Sequence, residues 1–255
     1  MRFAITREIS SAIQNCQLTH VPRIPIDVER ARAQHDAYEW ALVDLGCTVR
    51  RVDSGADMAD AVFIEDTAVV VREGAVITRP GAESRRVETP AVTESLERFG
   101  LSHREIQEPG TLDGGDVLVV GRDVFVGASE RTNAAGINQI QRILGKLGYK
   151  VRTVPVQRCL HLKSAVTAVA PRTVLINRDW VRDEAFADFV LIDVDGDEPH
   201  AANALLVGDT VIYPAAFPRT RARLEQRGLR VKTVDVDELA KAEGGVTCCS
   251  LVFER

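Results

Sequence analysis

The sequence has 255 residues, 45% apolar and 27% charged, with a net charge of −5. That is chain enough for one large domain or two small ones with a sizeable core, in the composition range of ordinary globular proteins. The acidic balance argues against nucleic acid as a partner, and no apolar run is long enough to span a membrane.

The chain opens "MRFAITREIS" with no signal-peptide pattern, which makes the cytoplasm the expected location. "RFAIT" (2–6) reads as a strand, "ERARAQHDAYEWALVDLG" (29–46) as a helix, and "CTVRRVD" as the strand after it. "DAVFIEDTAVVVREGAVITRP" (60–80) is an acidic turn, a β-branched strand, a Glu-Gly turn and a second strand. A helix follows in "TPAVTESLERFG" (89–100), with Thr89 as the expected cap, and then the strand "LSHREIQE". "LDGGDVLVVGRDVFVGAS" (112–129) repeats the hairpin. In "TNAAGINQIQRILGKLG" (132–148), Ile137, Ile140, Ile143, Leu144 and Leu147 stand at helical spacing, and "YKVRTVPV" follows. Two more hairpins occupy 161–177 and 201–215. The first is followed by a short helix around 183–189, the second by "PRTRARLEQRG" (218–228) and "LRVKTVDV".

Glu65, Asp113, His161, Asn203 and Cys248 each stand just ahead of a strand, at intervals of 48, 48, 42 and 45 residues. Periods of this length mark a repeat architecture. Five ββαβ units cannot each bury a core alone but can when stacked radially. The last unit has one strand, "SLVFE", and "RFAIT" can complete it and close the ring. The phasing therefore favours a five-bladed α/β propeller with pseudo-five-fold symmetry over an open mixed sheet. It forms one domain over 1–255, with repeats near 54–107, 108–156, 157–195, 196–236 and 237–255, closed by 1–53. Equivalent blade ends then converge on one axis.

Five cysteines without CxxC spacing, Cys16, Cys47, Cys159, Cys248 and Cys249, read as reduced thiols rather than a disulfide framework or structural zinc site. A thiolate needs a cationic or proton-accepting neighbour to act as a nucleophile. His161 is the natural partner, with Asp113 to orient it. Asp60, Glu65, Asp66, Asp113, Asp116 and Glu243 fall at the same blade ends, and a carboxylate-lined pocket suits a cation, planar guanidinium above all. With Arg85 and Arg131 to take a carboxylate, the pattern points to a zwitterionic, arginine-like amino acid. Each residue alone has an ordinary reading as packing, turn or surface charge. No P-loop, GxGxxG or EF-hand spacing competes. Metal binding by Cys248, His161 and a carboxylate ranks behind nucleophilic use.

In this order, "FIEDTAVV", "ITRPGAESRR", "LDGGDVL", "ERTN", "LHLKS", "AAN" and "GGVTCCS" resemble the dimethylarginine dimethylaminohydrolases, of the guanidino-group-modifying (pentein) superfamily. The likeness runs over essentially the whole chain. It implies a five-bladed propeller with an axial site that needs no metal or cofactor. Cys248 would be the nucleophile, in preference to Cys249, His161 the general acid/base and Asp113 its acidic partner. Asp60, Glu65 and Asp66 would surround the guanidinium, with a backbone contact from Phe63. Arg85 and Arg131 would bind the substrate carboxylate, and Leu18 would meet the α-amino end from a lid loop. Glu243 stands where the family commonly has Asp, which bears on substrate selectivity. The implied reaction is hydrolysis of Nω-methylated L-arginine to L-citrulline and a methylamine. Other guanidine substrates such as free arginine, a non-catalytic amino-acid-binding module and a thiol-based zinc protein are the rival readings. Oligomeric state, including a homodimer, stays open.

Overall fold

The computed structural model describes residues 1–255. The chain enters along β1 (Arg2–Thr6), passes through α1 (Val28–Asp44) and returns as β2 (Cys47–Arg51), parallel to β1. Asp27 caps α1 by accepting from the Arg30 N–H at 3.0 Å. The next blade is β3 (Ala68–Val71), β4 (Gly74–Ile77), α2 (Thr89–Arg98) and β5 (His103–Glu105). The following one is β6 (Val117–Val120), β7 (Asp123–Ala128), α3 (Ala134–Gly145) and β8 (Lys150–Pro155). A single turn, α4 (Leu162–Ala165), leads into β9 (Val166–Ala170), β10 (Thr173–Ile176) and β11 (Val190–Asp193). Then come β12 (Leu205–Val207), β13 (Thr210–Pro214), α5 (Pro218–Gln226) and β14 (Arg230–Val234), and finally the turn α6 (Asp237–Ala240) and β15 (Leu251–Glu254).

The strands form five three-stranded sheets. In four of them an antiparallel hairpin is extended by a parallel strand, as in β3–β4–β5. The fifth is β15–β1–β2, where β1 pairs antiparallel with β15 (Ile5 opposite Leu251) and so joins the two ends of the chain. This is the five-bladed α/β propeller.

Five apolar clusters lie one at each seam between neighbouring blades. Val76, Val126 and Ile140 fill one seam, Phe125, Val174 and Phe186 the next, and Val169, Val211 and Tyr213 the third. Tyr38, Leu42, Ile212 and Cys249 fill the fourth, and Ile5, Ile77, Leu96 and Leu251 the last. Burial thus binds blade to blade, which is why no unit stands alone.

Two local expectations change. Thr89 does not cap α2, because the 3-10 turn Glu83–Glu88 runs straight into it and leaves no free start; the Thr89 hydroxyl instead donates to the Arg86 carbonyl at 3.1 Å. The segment around 183–189 forms only the 3-10 turn Asp183–Phe186, too short to bury a helical stripe. No helix is long and apolar enough to cross a membrane.

Candidate active site

Ahead of their first strands, three blades carry one tight helical turn: Ile64–Thr67, Gly114–Asp116 and α4. Bends at 201–202 and 246–249 hold the corresponding places in the other two. A turn of this kind aims its side chains inward at the axis while the strand behind it packs in a seam. Glu65 and Asp66 lie on the first turn, Asp113 and His161 cap the second and third, Asn203 follows the fourth, and Cys248 lies on the fifth. The turns touch closely. A Cβ on Gly114 would sit 1.9 Å from the Glu65 carbonyl oxygen, so only glycine fits there.

His161 is 6% exposed, and its Nε2 stands 2.9 Å from Asp113 Oδ2. Asp113 Oδ1 accepts from the Gly81 N–H at 2.8 Å, which fixes the carboxylate plane. His161 Nδ1 lies 3.9 Å from Asp66 Oδ1, and a Cβ on Gly115 would meet Nδ1 at 2.6 Å. Burial alone would lower the imidazole pKa. Asp66, the hydrogen bond to Asp113 and the nearby Asp116 outweigh it and raise it to about 9. The imidazolium is therefore the resting form at neutral pH.

A narrow cleft of about 20 Å³ brings together Asp60, Phe63, Asp66, Arg85, Asp113, Arg131, His161, Glu243 and Cys248. Glu65 and Leu18 do not line it. Glu65 lies behind it, paired with Lys163 and accepting from the Thr247 hydroxyl at 2.7 Å, and it lines a separate cleft together with Lys163 and Thr247. Burial pushes the Asp60 and Glu65 carboxyls up, while His161 and then Arg85 hold Asp66 down against its own burial.

Arg85 departs from expectation. It is 5% exposed and gives its donors to protein: Nε and Nη2 to Glu88, Nη1 to Asp66, and Nη2 to the carbonyls of Asp60 and Phe63. Its guanidinium fastens the acidic wall in place instead of standing free for a substrate carboxylate. Arg131 is half-buried and donates to the Thr19 hydroxyl at 3.0 Å.

The Cys248 sulfur lies where the Gly245 N–H donates to it at 3.3 Å. Burial, then the Glu65 and Asp66 carboxylates, push its thiol up to about 12. Cys249 is 0% exposed, belongs to the apolar cluster around Tyr38 and donates to the Gly245 carbonyl at 3.5 Å. The two part company because they sit on a tight turn ahead of β15.

The loop from Cys16 to Asp27 covers the cleft. Asp60 accepts from the Gln17 N–H at 3.0 Å, and the Glu243 carboxylate takes the N–H of Thr19 at 2.7 Å and of His20 at 2.6 Å. Leu18 lies between these anchors. The Glu243 carboxylate, expected to face substrate, is thus a latch for the lid, and the extra methylene over Asp gives it that reach. Each charge-assisted bond in this exposed setting is worth on the order of 1 kcal/mol. Glu243→Ala is therefore expected to speed amide exchange at Thr19 and His20 about tenfold, and unchanged exchange would show that the latch carries nothing.

Sequence reading missed Lys163, Thr247 and Glu88. Nothing local distinguishes Lys163 and Thr247, since each acts on Glu65 from another blade, whereas Glu88 stands three residues from Arg85 on the same 3-10 turn, a spacing that marks the pair. Asn203 was legible as a repeat position, though without a role. It donates to the Lys163 carbonyl and the Thr247 hydroxyl, both at 3.0 Å, and accepts from the Thr247 N–H, so it ties the third blade to the fifth. Asp66, Asp113 and His161 come within 4.8 Å of one another, a spacing that suits a metal ion. Arg85, the Gly115 N–H and the Gly81 N–H already occupy those carboxylates, however.

A family model described as "N,N dimethylarginine dimethylhydrolase, eukaryotic" matches residues 3–254. The chain belongs to the dimethylarginine dimethylaminohydrolase family. A family member from Streptomyces coelicolor is 43% identical over 250 residues, covering 97% of this chain and 95% of that one. The Pseudomonas aeruginosa dimethylarginine dimethylaminohydrolase has been solved as a cysteine-to-serine variant with citrulline. It matches with 36% identity and a TM-score of 0.93 over 98% of each chain. A dimethylarginine dimethylaminohydrolase adduct of a histidine-to-glycine variant with S-methyl-L-thiocitrulline matches with a TM-score of 0.92 and 35% identity, over 98% of this chain and 99% of that one.

Proposed function

We propose that this member of the family hydrolyses Nω,Nω-dimethyl-L-arginine and Nω-methyl-L-arginine to L-citrulline and dimethylamine or methylamine. The observation that carries the reading is one cleft holding the Cys248 sulfur, the His161–Asp113 pair and the Asp60 and Asp66 carboxylates.

A guanidinium entering the cleft meets Asp60 and Asp66, with Glu65 behind them. Its positive charge offsets the carboxylates that hold the Cys248 proton on, so the thiol ionises with substrate present. The thiolate adds to the guanidinium carbon. His161, already an imidazolium, gives its proton to the alkylated nitrogen, the C–N bond breaks and the amine leaves a thiouronium on Cys248. The neutral imidazole then takes a proton from water. The oxygen adds to the same carbon, the C–S bond breaks as the oxygen's remaining proton passes to solvent, and citrulline departs with the thiolate restored. Asp113 holds the ring orientation throughout. Arg131 takes the substrate α-carboxylate, with Arg85 acting on that end only through the wall it fastens. The lid at Leu18 excludes water from the α-amino end.

The test is to supply purified protein with Nω,Nω-dimethyl-, Nω-methyl- and unmodified L-arginine separately and to measure citrulline. Citrulline from the methylated substrates, with an equal amount of amine, is the expected result. None from any of the three would overturn the reading.

A further inference from the structure

A second cavity borders Cys248. It encloses about 310 Å³ and shares Leu160, Glu243, Gly244 and Cys248 with the narrow cleft of about 20 Å³. The two differ in chemistry. The narrow cleft is walled by paired charges. The larger cavity runs from Cys248 along Leu160, Trp180, Phe217 and Val21, and reaches the surface at Arg158, His200 and Ala216. Trp180 is held edge-on against His200, with ring centroids 5.0 Å apart, so the aromatic wall is ordered. The residues given to catalysis leave this volume unused, since dimethylamine is far smaller.

We infer that this cavity receives the substituents on the departing guanidine nitrogen, so that the enzyme accepts Nω-alkyl-L-arginines with alkyl groups larger than methyl. The inference rests on the reaction proposed above. An alkyl chain cannot enter the narrow cleft without stripping Asp60, Asp66 and Arg85 of hydrogen bonds, which is costly for buried charges. In the larger cavity it can lie against Leu160, Trp180 and Phe217, where each buried methylene favours binding about fourfold. The bond chemistry is unchanged. The C–N bond to the alkylated nitrogen breaks, its electron pair stays on that nitrogen, His161 supplies the proton and a primary alkylamine forms. The cavity is bordered by His20 and Val21 of the lid loop and opens at Arg158, His200 and Ala216, which gives the amine a way out.

The experiment compares Nω-methyl-, Nω-propyl- and Nω-butyl-L-arginine, with citrulline and released alkylamine both measured. The propyl compound is expected within about tenfold of the methyl compound in kcat/KM, instead of the steep loss that a pocket closed at one methyl imposes. Ala216→Trp and, separately, Ala240→Trp add bulk at exposed lining positions outside the residues given to catalysis. Either is expected to lower kcat/KM for the butyl compound about tenfold or more while leaving the methyl compound unchanged. Propyl and butyl compounds turned over more than about 100-fold worse than methyl, or a uniform loss on all three in both variants, overturn the inference and leave the methylarginine reaction standing. No citrulline from the methyl compound overturns the reaction and the cavity's role with it.

Discussion

Cys248→Ser is expected to reduce citrulline formation by at least about 10³-fold, whereas Cys249→Ser keeps most of it. The sequence offers two adjacent thiols; the geometry separates them completely. Cys248 borders both cavities and takes the Gly245 N–H, so its sulfur can meet a guanidinium carbon. A serine hydroxyl there ionises far less readily, and nothing at the site acts as a strong base toward it, because His161 rests protonated. Cys249 lies wholly inside the Tyr38 cluster. Its serine would keep the contact to the Gly245 carbonyl at the cost of burying a hydroxyl, about 1–2 kcal/mol, which lowers Tm by a few degrees. Citrulline assays paired with thermal melts separate the two effects. Comparable activity in both serine variants would mean that the nucleophile is misassigned.

The second large effect falls on His161. Removing it as His161→Ala takes away both the acid for the leaving amine and the base for water, a loss of about 10²–10⁴ in kcat. Asp113→Asn tests how the ring is tuned. The imidazole titrates at about 9 because Asp66, Asp113 and Asp116 outweigh burial. Without the Asp113 charge its midpoint should fall toward the ordinary value near 6.5. With substrate bound and Cys248 already ionised, kcat of the wild type is expected to fall as His161 deprotonates near 9, and Asp113→Asn should move that falling limb to lower pH. The sign for stability runs the same way. A folded-state pKa above the unfolded one stabilises fully below about 6.5 and loses that contribution as pH rises through about 9. Histidine NMR titration of both forms checks the midpoint directly. An unshifted midpoint in Asp113→Asn would remove Asp113 from the tuning.

What was legible in the sequence was whatever repeats or alternates. Ile137, Ile140 and Leu144 declared α3 because one face of a helix has to be apolar, and all three are buried. The spacing of Glu65, Asp113, His161, Asn203 and Cys248 placed the axis, because equivalent turns in a ring converge. What failed to show was any role set by a partner from another blade or turn. Arg85 looks like a free cation until Asp66, from another turn, is found against it. Glu243 looks like a substrate ligand until the lid folds onto it, and Lys163 looks like surface charge until it meets Glu65. Such pairings join segments up to more than 200 residues apart, and no local pattern encodes them.

The pairing of β1 with β15 also has a kinetic side. Each of the four inner blades is built from contiguous chain, so its strands meet across short loops. The closing blade joins Ile5 to Leu251, and its entropy of loop closure falls due in one step. Cys248 rides on the turn immediately before that strand, and its carbonyl takes the Glu65 N–H of the neighbouring blade at 3.1 Å. The Cys248 sulfur is therefore placed beside the acids only when the ring shuts. A partly folded chain with four blades in order would carry the acids and the histidine with Cys248 still unplaced. Assembly of the cleft and topological completion arrive together.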